Sequence, residues 1–243
     1  MIGLGTLINV AAILVGGALG ILCKRLFAER VQQTLLKANG LCVLFIGISG
    51  ALGEMLTVQG TALSVRGTMI VILSFVCGAL LGEAIDIDRR LERFGLWLRR
   101  KSGSEGDATF LNGFLTASFT VCIGAMAVVG AIEDGMKGDF SLLTVKAVLD
   151  LVIVAVMAAS LGKGCLFSAI PVFVFQGSIT LLARWIAPLL SDAALRYLSL
   201  TGSMLIFCVG VNLFFDKKIK VANLLPTLLF AAALSYLEGV LAL

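Results

Sequence analysis

There is no histidine in this 243-residue chain, and only 14% of its residues are charged. The first absence removes imidazole from any catalytic or metal-binding scheme. The second sets the chain apart from soluble domains, in which about a quarter of residues are charged and about half are apolar. Here 59% are apolar and the mean hydropathy is +1.06. No dense aromatic cage for a substrate stands out among two Trp, two Tyr and 15 Phe. The six cysteines, Cys23, Cys42, Cys77, Cys122, Cys165 and Cys208, are scattered in or beside apolar runs, without metal-type spacing and without a polar disulfide-rich loop. They read as small apolar side chains. No GxxxxGK[ST] loop is present to bind ATP, and neither HExxH nor GxSxG supports an intramembrane protease or lipase. The sequence is therefore read as non-enzymatic and without a cofactor.

What is there is long apolar runs. About 20 apolar residues cross a bilayer as a helix, and such runs lie near 4–23, 38–56, 67–85, 109–132, 142–162, 165–187, 197–215 and 221–241. The expected fold is an all-α polytopic bundle of about eight transmembrane helices forming one integral membrane domain. No basic region precedes the first run, which reads as a retained span and not a cleaved signal. Gly162-Lys163-Gly164 predicts a tight turn between two spans. Residues 86–107 alternate Arg with Leu91, Phe94, Leu96, Trp97 and Leu98, which suits a short amphipathic helix at the membrane surface.

With eight spans, one set of loops holds 14 of the 19 basic residues: Lys24, Arg25, Arg30, Lys37, Arg89, Arg90, Arg93, Arg99, Arg100, Lys101, Lys163, Lys217, Lys218 and Lys220. Arg66, Lys137, Lys146, Arg184 and Arg196 belong to the other side. The rich side is expected to be cytoplasmic and both termini outside. Anionic lipid accounts for the basic loops, so a nucleic-acid partner is not expected.

Spans 1–3 (residues 4–86) and 6–8 (165–243) align as weak copies around two central spans (109–162). Gly16-Gly17-Ala18-Leu19 matches Gln176-Gly177-Ser178-Ile179, Asn39-Gly40 matches Thr201-Gly202 with Phe45 on Phe207, and Phe75 on Phe230 brings Glu83 onto Glu238. After five spans the second copy must run in the opposite direction, giving the inverted repeat of many secondary transporters. On this alignment Gly16-Gly17 and Gln176-Gly177 are expected to face each other.

Ionisable groups within a span are costly and persist where they face a cavity or a partner. Asp150 lies well inside span 5, with Lys146 one turn before it on the same face; the two read as an ion or proton site, or as a self-neutralising pair. Glu83 follows Gly78 and Gly82, whose GxxxG spacing admits a close neighbour; Gly16xxxGly20 offers another such face, for internal packing or for a homodimer. Glu133 and Asp134 end span 4 as a vestibule that would attract cations, or as a solvated helix end. Asn112 and Thr116 lead a polar series in span 4 with Ser118 and Thr120, and Gln176 is joined by Asn9, Ser178, Thr180 and Asn212 as further intramembrane polar groups. Pro171 and Pro226 could kink spans 6 and 8.

Three stretches, TLINVAAILVGGALG at 6–20, GAMAVVGAIEDGMKGD at 124–139 and KAVLD at 146–150, together resemble the YqgA/YdfK family of uncharacterised bacterial membrane proteins. The resemblance covers nearly the whole chain. It implies a multi-pass bacterial inner-membrane protein grouped with transporters by topology, and it supplies no substrate and no site residue. The expected function is a secondary transporter of a small ion or small polar solute, with the lipid bilayer as surroundings. An ion channel and a non-transporting scaffold or partner subunit are the alternatives.

Overall fold

The computed structural model describes residues 2–26, 28–59, 62–215 and 219–238. Lys217, Lys218 and the end of the last expected span lie outside the described residues, as does the side chain of Arg25. Helix α1 (Leu4–Leu26) leads to α2 (Glu29–Met55). A short antiparallel hairpin follows, β1 (Leu56–Gln59) with β2 (Ala62–Val65), in which Leu56 pairs with Val65 and Gln59 with Ala62. Next come α3 (Thr68–Ile85), α4 (Ile87–Lys101), α5 (Phe110–Cys122), α6 (Ala125–Lys137), α7 (Ser141–Leu161), a 3-10 segment (Lys163–Ser168), α8 (Ala169–Ile186) and α9 (Asp192–Phe215). The last part is α10 (Pro226–Leu234) between 3-10 turns at Val221–Leu224 and Ser235–Leu237.

Among the described residues the fold is all-α apart from one small hairpin, which the sequence pattern does not distinguish from a loop. Among the described residues, five stretches are long and apolar enough to cross a membrane: Leu4–Lys24, Arg30–Met55, Thr68–Ile85, Ser141–Ile186 and Asp192–Phe215. A sixth is counted if α5 and α6, which meet at a 61° bend, form one broken span. The expected continuous span over 109–132 is thus interrupted at Ile123-Gly124. Gly124 has φ +154°, a backbone region that only glycine enters without strain. The expected surface helix within 86–107 is present as α4.

Contacts along α1 define the path of the 46-residue stretch Ser141–Ile186. Gly5 packs on Leu143, Gly16 on Leu151 and Gly20 on Ala155, so α7 runs parallel to α1. Thr6 meets Thr180, Asn9 meets Gln176 and Gly17 packs on Leu166, so α8 runs antiparallel to it. The chain therefore turns back at the 3-10 segment. Pro171 falls in the first turn of α8 and Pro226 opens α10. At those positions the missing N–H leaves no hydrogen bond unmade, so neither proline kinks a span.

Two further antiparallel pairs complete the bundle. In α2 and α9, Gly47 packs on Phe207 and Gly210 on Leu44. In α3 and the α10 segment, Gly78 packs on Thr227 and Gly82 on Asn223. Both GxxxG faces anticipated in the sequence are intramolecular seams, where the missing Cβ lets backbones touch. The core is a set of fully buried apolar side chains, among them Ile13, Val154, Met157, Val172 and Leu205. The outer surface is apolar too, with Leu181 82% and Trp185 79% exposed. A protein apolar inside and out is built for lipid, where helices satisfy their own backbone. Lys24, Lys37, Lys163 and Lys220 lie with the α3–α4 junction at one end of the bundle, here the basic face; Gly3, Asp134, Gly67 and Glu238 lie at the other.

Candidate functional site

Lys146 and Asp150 form a buried ion pair one helical turn apart on α7. Asp150 is nine residues into the helix, or ~14 Å from its start at 1.5 Å per residue, close to the middle of a hydrocarbon core of about 30 Å. The Lys146 ammonium also donates to the carbonyl of Val121, at 2.8 Å. Val121 lies in the last turn of α5, where carbonyls lack a helical donor. The break between α5 and α6 thus hands a backbone oxygen to the lysine.

Helices α1 and α8 approach the pair from the face opposite the basic one. Asn9 lies beside the Asp150 carboxylate, and its amide nitrogen donates to Gln176 Oε1 at 3.2 Å. One turn further out, the hydroxyls of Thr6 and Thr180 are 3.4 Å apart. At the end of α1, the N–H groups of Gly3 and Gly5 each donate to a carboxylate oxygen of Asp134, both at 3.1 Å. Asp134 is an N-cap supplied by another helix, placed where the α1 dipole favours an anion. These side chains are all buried, and Asn9 and Gln176 are wholly so. Asn9 Oδ1 and Gln176 Nε2 nevertheless have no hydrogen-bond partner. An acceptor and a donor thus stay unsatisfied within a buried polar cluster that reaches the Asp150 carboxylate, at a cost of about 1–3 kcal/mol each. Beyond them, toward the basic face, the seam turns apolar at Ile13 and Val172, both at zero exposure.

A second polar series reaches the pair from the basic face. Asn112, Thr116 and Thr120 are spaced four apart on α5, one above another. The Thr116 hydroxyl donates to Asn112 Oδ1 at 3.3 Å and the Thr120 hydroxyl to the Thr116 carbonyl at 2.8 Å. Asn112 and Thr116 line a cavity of about 210 Å³ together with Asp88, Asn212 and the apolar Phe119 and Val209. Val121, whose carbonyl holds Lys146, follows directly on Thr120.

The residues singled out from sequence therefore separate. Asp150, Lys146 and Gln176 come together at mid-bundle, with Asp134 capping the outer end of the same polar seam. Glu133, half-buried, takes no part in that cap. Asn112 and Thr116 belong to the basic-face cavity. Glu83 stands apart at the basic end of α3, bonded by Lys220 at 2.7 Å and by Asn223 at 2.6 Å; its carboxylate holds the Lys220 ammonium above the ordinary lysine pKa. Asn223 also accepts from the Asp88 N–H, at 2.7 Å. At the opposite end, Glu238 is bonded by Arg196 at 2.7 and 2.8 Å and by Tyr197 at 3.0 Å. Gly16-Gly17 do not face Gln176-Gly177, because an antiparallel crossing brings equivalent positions together only at its centre. Gln176 faces Asn9 instead, while Gly16 and Gly17 pack on Leu151 and Leu166. Sequence reasoning passes over Thr6 and the Val121 carbonyl. Thr6 carries a signal, since it lies three residues before Asn9 and shares its helix face; a backbone carbonyl has none.

A family described as "Protein of unknown function (DUF554)" matches residues 4–236. The chain is 28% identical over 225 residues to the "Uncharacterized membrane protein YdfK" of Bacillus subtilis (strain 168), covering 93% of this chain and 92% of that protein. It is 28% identical over 239 residues to the "Uncharacterized protein YqgA" of Escherichia coli (strain K12), covering 96% of each. No solved structure matches.

Proposed function

We propose, for a chain that belongs to the DUF554 family of proteins of unknown function, a secondary transporter that carries a small ion or small polar solute past the Lys146–Asp150 pair by alternating access. The membrane is taken as a bacterial inner membrane, crossed eight times. The observation that carries the reading is the buried pair beside the unpartnered Asn9 Oδ1 and Gln176 Nε2. A merely structural ion pair would have no use for orphaned polar atoms next to it. Polar residues lead to the pair from both ends of the bundle, and Ile13 and Val172, both at zero exposure within one apolar cluster, close the α1–α8 seam on the basic-face side of Asn9 and Gln176. A closed seam favours a carrier over an open channel.

The pairing of helices supports an inverted repeat. A residue that meets its own repeat equivalent must lie on the axis relating the copies. Gly78 meets Thr227, so three residues back along α3 and three on along α10, Phe75 is level with Phe230, the pair the sequence alignment equates. The same count from Asn9 and Gln176 brings Ile13 to Val172, and that from Gly47 and Phe207 centres α2 and α9 near Phe45 and Phe207. All three pairs thus cross within about a residue of the positions the alignment equates. The test is uptake or efflux in proteoliposomes. Saturable flux that is lost in Asp150→Asn is the expected result; undiminished flux in that variant would remove the pair from the pathway.

A further inference from the structure

We propose that the Lys146 ammonium is a tethered occupant of a monovalent-cation site, so that the solute carried past Asp150 is a small inorganic cation. The inference rests on the transport reading of the same pair and adds the class of solute. Around the ammonium the structure gathers oxygen: the Asp150 carboxylate, the Val121 carbonyl at 2.8 Å and, beside the carboxylate, Asn9 with its unpartnered Oδ1. Carboxylate, carbonyl and amide oxygens are what a dehydrated cation needs in place of its water, and broken helices in membranes supply such carbonyls. The site carries one negative charge. Among the described residues, the titratable groups that interact with Lys146 are Asp150 on its own helix and Cys122 on α5, while α1 and α8 bring the neutral Asn9 and Gln176. One carboxylate balances a singly charged ion, whereas divalent ions gather further carboxylates or keep their water.

Lysine is a compact point charge that shifts its protonation readily when buried. If Lys146 releases one proton to water as one cation enters, the charge of the site is unchanged, and one proton leaves for each cation bound. Without that release the two positive charges exclude each other. Wild-type protein at neutral pH should therefore hold no added cation at this place.

The experiment compares melting temperatures of purified wild type, Lys146→Ala and Lys146→Ala/Asp150→Asn in sodium, potassium and choline chloride at equal ionic strength. Lys146→Ala is expected to melt several degrees higher in sodium or potassium than in choline. Wild type at neutral pH and the double variant should be indifferent to the salt. Equal melting of Lys146→Ala in all three salts overturns the inference, as does failure of that variant to fold in any salt while the double variant folds. If neither variant folds, wild-type melting in the three salts is compared at rising pH. Stabilisation by sodium or potassium but not choline should then emerge with rising pH, and identical melting in all salts throughout overturns the inference. Flux lost in Asp150→Asn without any cation effect would retire only the cation class; a cation effect in a protein without flux would retire only the transport reading.

Discussion

At mid-bilayer, Asp150 and Lys146 are tolerable only as a pair, since removing one partner of a buried pair costs about 3–5 kcal/mol by stranding the other. They were legible in the sequence because two opposite charges persist inside an apolar run only where they shelter each other or border a cavity. Asn9 and Gln176 were visible as intramembrane polar residues, yet their contact was not, because it depends on which antiparallel register α1 and α8 adopt. Their orphaned atoms make a prediction at this scale. Replacing both by leucine removes one hydrogen bond and two unsatisfied groups, which is near neutral or stabilising. Asn9→Leu/Gln176→Leu is expected to melt at or above the wild-type temperature while losing transport in proteoliposomes. A drop in stability with flux retained would make the two amides structural.

Among the elements, the seams between helices are set by glycine. A Cβ at Gly82 would collide with the Asn223 carbonyl oxygen, and one at Gly20 with that of Ala155, whereas nothing lies within 4 Å of a Cβ at Gly177. Gly82→Ala must push α3 away from the Val221–Leu224 turn and is expected to cost about 1–3 kcal/mol, as overpacking does. Gly177→Ala, mid-helix and in open space, should instead stabilise by about 0.5–1 kcal/mol. Thermal melting of both variants checks the contrast; equal effects would mean that the α3 seam is looser than described. The GxxxG spacing made these seams readable. The break between α5 and α6 was not, since Gly124 is one glycine among 27 and the apolar run passes straight through it. The hairpin Leu56–Val65 was hidden for a related reason: so short a link between two spans carries too little pattern to separate strand from loop.

For the whole molecule, composition alone fixed the surroundings, because a surface carrying exposed Leu181, Trp185 and Leu229 is stable only against lipid. The sequence suggested one helix pairing, that of α1 with α8, and the structure also packs α2 on α9 and α3 on the α10 segment. What it could not foretell was where along each helix the pair crosses, and hence that Gln176 meets Asn9. Alternating access requires that the acid–base pair be reached from either face in turn. The direct measurement places one cysteine at Asn9 in a protein whose six native cysteines are replaced, and labels it with membrane-impermeant thiol reagents applied to one face of oriented vesicles at a time. Labelling from each face, lost from the basic face but kept from the other when Ile13 is cross-linked to Val172 through engineered cysteines reacted beforehand, is the predicted result. A cysteine at position 9 that reacts from neither face would contradict alternating access and leave Lys146–Asp150 as internal packing.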